Sequence, residues 1–265
     1  MDLFSQSHFA GVGAIQSQDS LPTGTPEDIL LQSELGAVLT DAAEASAAGI
    51  QAYAAPIAAT NPQLVKLVSH IFNESFGYRP DGRPYRLGPK SVSERLQETD
   101  HLFVAGDEQS GVGYLFGKEI TSSQGRIAWI ESMAVLPLYR RRGIATAMVK
   151  RFWQATKNAP RFGCATPNPI AALIVSRVVP GKLYVGQSDP PHHLRRLLKE
   201  IKQNCFDLRG CSIDERTLTI KTGFSPLSRS DERDWSPRTP QAPPHWWAWI
   251  QHLPNEFEAL LLIES

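Results

Sequence analysis

The segment Arg140-Arg141-Arg142-Gly143-Ile144-Ala145-Thr146 carries the clearest chemistry in this sequence. It follows an apolar run, Arg126 to Leu136, and precedes an amphipathic one, so it reads as a turn from a strand into a helix. The first turn of a helix has backbone N–H groups without intrahelical partners, and it lies at the positive end of the dipole. Gly143 and Ala145 have almost no side chain, so a bulky anion can approach those N–H groups closely. The arginines add charge and donors nearby. The chemistry implied is the binding of a pyrophosphate.

Two other phosphate loops fit less well. A P-loop ends in Gly-Lys-Ser/Thr, and no such tripeptide occurs in the chain. Gly-x-Gly occurs as Gly11-Val12-Gly13 and Gly111-Val112-Gly113, but neither opens a helix after a strand with a third glycine in register. His192-His193 with Cys205 and Cys211 matches none of the usual zinc spacings, so no metal is expected. Cys164 reads as a small buried hydrophobe. Trp246, Trp247 and Trp249 read either as packing under a helix or as the wall of an acceptor or acyl pocket.

The elements that position the turn follow from periodicity and punctuation. Ile50 to Ala54 reads as a short strand. Asn61 caps a helix with Pro62 at its first position, and Leu64, Leu67, Val68, Ile71 and Phe72 form its apolar face. Tyr78 to Lys90 is a loop dense in Pro and Gly. Ser91-Val92-Ser93-Glu94 reads as a capping box that starts a helix running to about Glu98. Leu102 to Ala105 and Val112 to Phe116 form a hairpin around Gly106 to Gly111. Arg126 to Leu136 is a central strand, ended by Pro137. Helices follow from Ile144 to Thr156, from Pro169 to about Val179 and from His193 to Gln203. Gly163 to Thr166, Thr217 to Ile220 and Phe257 to Ile263 read as strands, and Ser225 to Pro244 as a polar loop. Strands on either side of helices, with a hairpin between, give a mixed α/β (α+β) sheet.

Size and composition bound the rest. The chain has 265 residues, 42% hydrophobic and 20% charged, enough for a core without disulfides. Lys+Arg and Asp+Glu are 27 each, so a general polyanion-binding surface, and nucleic acid as a partner, are not expected. No run approaches the ~18 apolar residues of a membrane span, so no membrane partner is expected either. The first residues lack a secretory pattern and three cysteines make no disulfide framework, so a cytoplasmic protein is expected. Residues 1–48 read as an extension, flexible or partly helical, before one domain over 49–265.

Arg140-x-x-Gly143-x-Ala145, after Met133-Ala134-Val135-Leu136-Pro137 and before an amphipathic helix, resembles the signature of the GNAT superfamily of N-acetyltransferases. The close resemblance covers about residues 102–155, a looser one 49–224. It implies a GNAT-like fold whose central, mostly antiparallel sheet is splayed at the cofactor site and flanked by helices. It implies acetyl-CoA, or another acyl-CoA, as co-substrate. Backbone groups of Met133, Ala134 and Val135 would bond the pantetheine arm. The amides of Arg141, Arg142, Gly143, Ile144, Ala145 and Thr146 would hold the pyrophosphate, beside Arg140, and Asn168 would contact the arm.

The resemblance further implies direct attack of an amine on the thioester, with a general base. Glu131 is the base candidate: the strand period places it on one face with Met133 and with Trp129. Many members carry a Tyr seven residues after the Asn as general acid. Here that position is Val175, and Tyr184 is the substitute if the chain folds back. Tyr78, Tyr85 and Trp129 are candidate acceptor contacts. Residues 180–256 exceed what a minimal fold of this kind needs and read as an enlarged acceptor side. The segment Asn168-Pro169, Pro180 to Tyr184 and Phe206-Asp207 resembles a set of bacterial members with undefined acceptors. The acceptor is a small-molecule or peptide amine, and a homodimer stays open. Two alternatives remain: a longer acyl donor, and a non-catalytic module that binds CoA or a partner.

Overall fold

The computed structural model describes residues 49–79, 81–186, 190–223 and 244–265. The extension 1–48 and nearly all of the polar loop read at 225–244 lie outside the described residues.

Strand β1 (Ile50–Ala54) leads into a single helical turn, α1 (Ala55–Ala58), and then α2 (Pro62–Ser75). Asn61 caps α2 as its type and position dictate: Oδ1 accepts from the N–H of Gln63 at 2.9 Å and of Leu64 at 3.3 Å, with Pro62 at the first helical position. Helix α3 (Pro89–Gln97) begins earlier than the capping box predicts. Pro89 presets the helical φ and takes the first position, so Gly88 is the N-cap and Ser91 lies inside the helix. The Ser93 hydroxyl donates to the Ala59 carbonyl at 2.9 Å instead of capping its own helix.

Strands β2 (His101–Ala105), β3 (Gly113–Ser122) and β4 (Gly125–Val135) form an antiparallel meander. β3 is longer than the hairpin pattern indicates, because its second half pairs with the start of β4. Beyond a 3₁₀ turn (Pro137–Tyr139) come α4 (Ile144–Ala155), β5 (Arg161–Thr166) and α5 (Pro169–Val178). Then follow β6 (Lys182–Tyr184), α6 (His192–Asn204), a 3₁₀ turn (Phe206–Leu208), β7 (Ser212–Asp214), β8 (Thr219–Lys221), α7 (His245–Gln251) and β9 (Phe257–Glu264). β6 and β7 are too short to show a period in the sequence.

The nine strands form one sheet in the order β1-β2-β3-β4-β5-β9-β8-β7, with β6 on β9. All pairs are antiparallel except β4 with β5. Phe103, Leu115 and Ile130 pack on Met148 and Phe152 of α4 on one face. On the other face Val104, Tyr114 and Phe116 pack under α2 and α3, and Trp129, Ile220 and Leu260 pack under α6. The mixed sheet between helices is the fold class expected.

Gly163 shows how tightly the centre is closed. A Cβ there would stand 2.5 Å from the Leu261 carbonyl oxygen and 2.7 Å from the Trp129 ring. Backbone cannot yield as a flexible side chain does. Gly163→Ala is therefore expected to lower stability by about 1–3 kcal/mol through overpacking. A urea midpoint equal to wild type would contradict this.

Candidate active site

β4 and β5 pair in parallel only from Ile127↔Arg161 to Ile130↔Cys164. Beyond that point β4 continues to Val135 beside β3, while β5 stays with β9 to Thr166↔Ala259. From Glu131 onward β4 thus has no strand on its β5 side. Backbone N–H and C=O groups there are left to bond whatever enters the gap. A cleft of about 600 Å³ opens at this splay. Cα pairing also slips at the same place: Phe116 faces Ser132 and Gly117 faces Ile130, so Glu131 is the extra residue of a β-bulge.

The bulge corrects one expectation. A strict period of 2 puts Glu131 on the face of Met133. In the structure Ile130, Met133 and Val135 belong to the core under α4, whereas Trp129, Ser132 and Ala134 face the opposite side. Glu131 joins this second side, where its neighbours are Cys205, Phe206 and Asp207. One extra residue reverses the alternation downstream, which is what a bulge does.

At one end of the cleft is the turn before α4. Gly143, the N-cap, has φ +75°, and Arg141 has φ +71°. No side chain caps α4, and its first helical hydrogen bond is Ala147 N–H to the Gly143 carbonyl. The N–H groups of Ile144, Ala145 and Thr146 therefore stand at the cleft without helical acceptors. Gly143 is exposed and a Cβ would meet nothing within 4 Å, so the approach is open. Arg140 has a role the sequence pattern does not reveal. Its Nε donates to the Val135 carbonyl at 3.1 Å and Nη2 to the Ser75 carbonyl at 3.3 Å, tying the turn to β4 and α2. Arg142 stacks over the Tyr139 ring, 5.4 Å from its centroid, outside the cleft lining. Asn168 lines the cleft and caps α5, its Oδ1 accepting from the Ile170 N–H at 2.9 Å.

Carboxylates gather at the other end. Glu131 Oε1 is buried and has no hydrogen-bond partner. Burial, and then the Asp207 charge, push the Glu131 pKa up to about 7, against smaller opposing effects of the Cys205 thiol, Lys118 and the Phe206 N–H. Glu258, the second residue of β9, lies one position beyond the end of β5 pairing, with its pKa also pushed up to about 7 by burial. It accepts from the Thr222 hydroxyl at 2.6 Å. Asp207 is held by Arg95 through Nη2 at 2.6 Å and Nε at 3.1 and 3.2 Å, while the Arg95 guanidinium stacks 4.7 Å over Phe206. The sequence pattern gives Phe206-Asp207 no role and does not mark Arg95 or Glu258. An acid inside the otherwise apolar Phe257–Ile263 was the available signal.

The remaining candidates separate. Tyr85 and Trp129 line the cleft, Trp129 at 1% exposed and so part of its floor. Tyr78 bridges to Pro84 in its own loop and is not in the lining. Tyr184 is not brought to the cleft: β6 pairs with the far end of β9, and the ring is 5% exposed in the core under α6, facing Glu264. The chain does fold back after Pro180, but onto the sheet edge. Trp246 and Trp247 pack in the core that includes α5, away from the lining. His193 pairs with Glu264 at 3.2 Å while Cys205 sits beside Glu131, so the residues of the zinc alternative go to separate places.

The raised Glu131 pKa has a stability consequence. Its carboxyl titrates near 4.5 unfolded and near 7 folded, so the folded state holds the extra proton between these values. Stability from this group is complete below about 4.5 and is lost as pH rises through about 7. Glu131→Gln is therefore expected to raise the melting temperature at pH 8, by an equivalent of about 1–3 kcal/mol, with little change at pH 4. Equal gains at both pH values would contradict the assignment.

Residues 65–170 match the model of the Acetyltransferase (GNAT) family. No curated protein matches the chain. Among solved structures, an aminoglycoside acetyltransferase from an uncultured soil metagenomic sample is 20% identical, over 41% of this chain and 69% of that one, at a TM-score of 0.31. A GNAT-family acetyltransferase from Streptococcus pneumoniae is 15% identical over 53% and 91%, at 0.37. The diaminobutyrate acetyltransferase of Paenibacillus lautus is 14% identical over 82% and 96%, at 0.32. Among the described residues, no helix is long and apolar enough to cross a membrane.

Proposed function

We propose that this chain, which carries a GNAT acetyltransferase domain, transfers an acetyl group from acetyl-CoA to a primary amine by direct attack in a ternary complex. One observation carries the reading. A single cleft has uncapped helix N–H groups at one end and a buried carboxyl with a pKa near 7 at the other, joined by strand backbone with no β5 partner. Ile144, Ala145 and Thr146 bond the pyrophosphate, and Arg141 adds charge. Backbone groups of Met133 and the N–H of Val135 bond the pantetheine arm, which Ala134, Asn168 and Val175 border; the Val135 carbonyl is held by Arg140 and Ser75.

The neutral amine nitrogen attacks the thioester carbon; as the C–N bond forms, Glu131 accepts one N–H proton, directly or through one water, and the C–S bond breaks. The CoA thiolate leaves without a tyrosine acid, since Val175 occupies the expected place and Tyr184 lies elsewhere, and takes its proton from solvent. Thiols are far stronger acids than alcohols, with a pKa of about 8.5, so a thiolate is an adequate leaving group. Holding both reactants in the cleft supplies much of the rate. Residues 180–256 supply Asp207, Leu208 and Thr222 to the cleft, which supports their reading as an acceptor-side enlargement.

The test is release of free CoA thiol from acetyl-CoA with a panel of primary amines. Amine-dependent release with an acetylated product is the expected result. Acetyl-CoA binding without release for any amine would replace this reading with that of a CoA-binding module.

A further inference from the structure

We propose that the acceptor is a dication: besides the amine that reacts beside Glu131, it carries a second cationic group that pairs with Glu258. This rests on the acetyl-transfer reading and narrows its substrate class. The cleft is bipolar, with the anion-binding turn at one end and Glu131, Asp207 and Glu258 at the other. The three carboxyls are not equivalent. Asp207 is already compensated by the Arg95 fork. Glu258 has the Thr222 hydroxyl, and no lysine, arginine or histidine of the described residues pairs with it. A buried carboxyl without a cation is a costly arrangement, and a charged ligand group relieves it.

An independent feature points to a ligand at the same end. Glu131 Oε1 is buried, lacks any hydrogen-bond partner and belongs to a residue that lines the cleft. Buried polar atoms are nearly always satisfied, so an orphan here marks a place completed by something that binds. Glu131 and Glu258 come from β4 and β9, on the two sides of the splay. All three carboxyls line the same cleft, and Asp207 repels both of the others. A single ammonium answers one of the two carboxyls. Trp129 and Leu208 give the cleft apolar wall for the methylenes between two charges.

The experiment is calorimetric titration of CoA-saturated protein at pH 8. Linear diamines from propane-1,3-diamine to hexane-1,6-diamine are compared with the n-alkylamines of the same length. At least one diamine is expected to bind about tenfold more tightly than its monoamine partner. Glu258→Gln is expected to bring that ratio to about one. Monoamines and diamines binding alike at every length, or no diamine binding to CoA-loaded protein, overturns the proposal. The wild-type ratio decides the matter even if the variant does not fold. Failure of CoA itself to bind overturns the acetyl-transfer reading instead, and thiol release with monoamines but no diamine preference removes only this inference.

Discussion

Glu131→Gln is expected to lower kcat by about 10²–10⁴-fold while leaving acetyl-CoA affinity unchanged. The magnitude follows from removing a general base and nothing else. Glutamine keeps the volume and one oxygen, so the bulge in β4 and the contacts with Cys205 and Phe206 survive. The pH profile gives the sharper readout. With its pKa near 7, Glu131 is protonated and idle below that value, so wild-type kcat/KM should fall about tenfold per pH unit beneath it and level off above. The variant should lose that limb. Asp207→Asn should shift it to lower pH, because a charge that repels the Glu131 carboxylate is removed and Arg95 is freed to stabilise it. Turnover within threefold of wild type, with the limb in place, would exclude Glu131 as the base.

Gly143→Asp is expected to weaken acetyl-CoA binding by about 100-fold or more, as read by calorimetry, with Gly143→Asn losing less than about tenfold. The pair separates charge from shape. At φ +75° both asparagine and aspartate are tolerated better than other residues, and a Cβ meets nothing within 4 Å. What differs is a negative charge placed where a pyrophosphate should bond the N–H groups of Ile144, Ala145 and Thr146. Equal losses in the two variants would mean that backbone conformation, not anion binding, is what Gly143 serves. Arg140 belongs to a different test. Since it ties Val135 and Ser75 together, its replacement by alanine should lower stability as well as binding.

Local signals were enough for much of this protein. The Asn61-Pro62 cap, the β2–β3 hairpin and the apolar run of β4 depend on neighbours in the chain. So does Gly143 before an amphipathic helix. Residue types there dictate backbone conformation within a few positions, and the glycine turn into α4 was therefore readable, together with Glu131 as an acid in an apolar strand. Signals failed where two local rules competed, as at Pro89, which outweighs Ser91 in starting α3. They also failed where elements were too short for a period, as in β6 and β7.

The sequence by itself determined the mixed sheet between helices, the strand-to-helix turn at residues 141–146 that leaves the start of α4 uncapped, and the resemblance that the family match over residues 65–170 bears out. Tertiary structure alone decided what meets at the splay. Alternation along β4 predicts Glu131 beside Met133, but a bulge is a property of pairing with β3, and no residue of β4 announces it. Tyr184 looks reachable along the chain, yet register with β9 carries it to the sheet edge. Asp207, Arg95 and Glu258 lie far apart in sequence and acquire their meaning only when strand order puts the start of β9 next to the end of β5. Charge and burial, which set the Glu131 and Glu258 pKa values, are sums over such distant neighbours. A linear pattern contains the neighbours but not the distances.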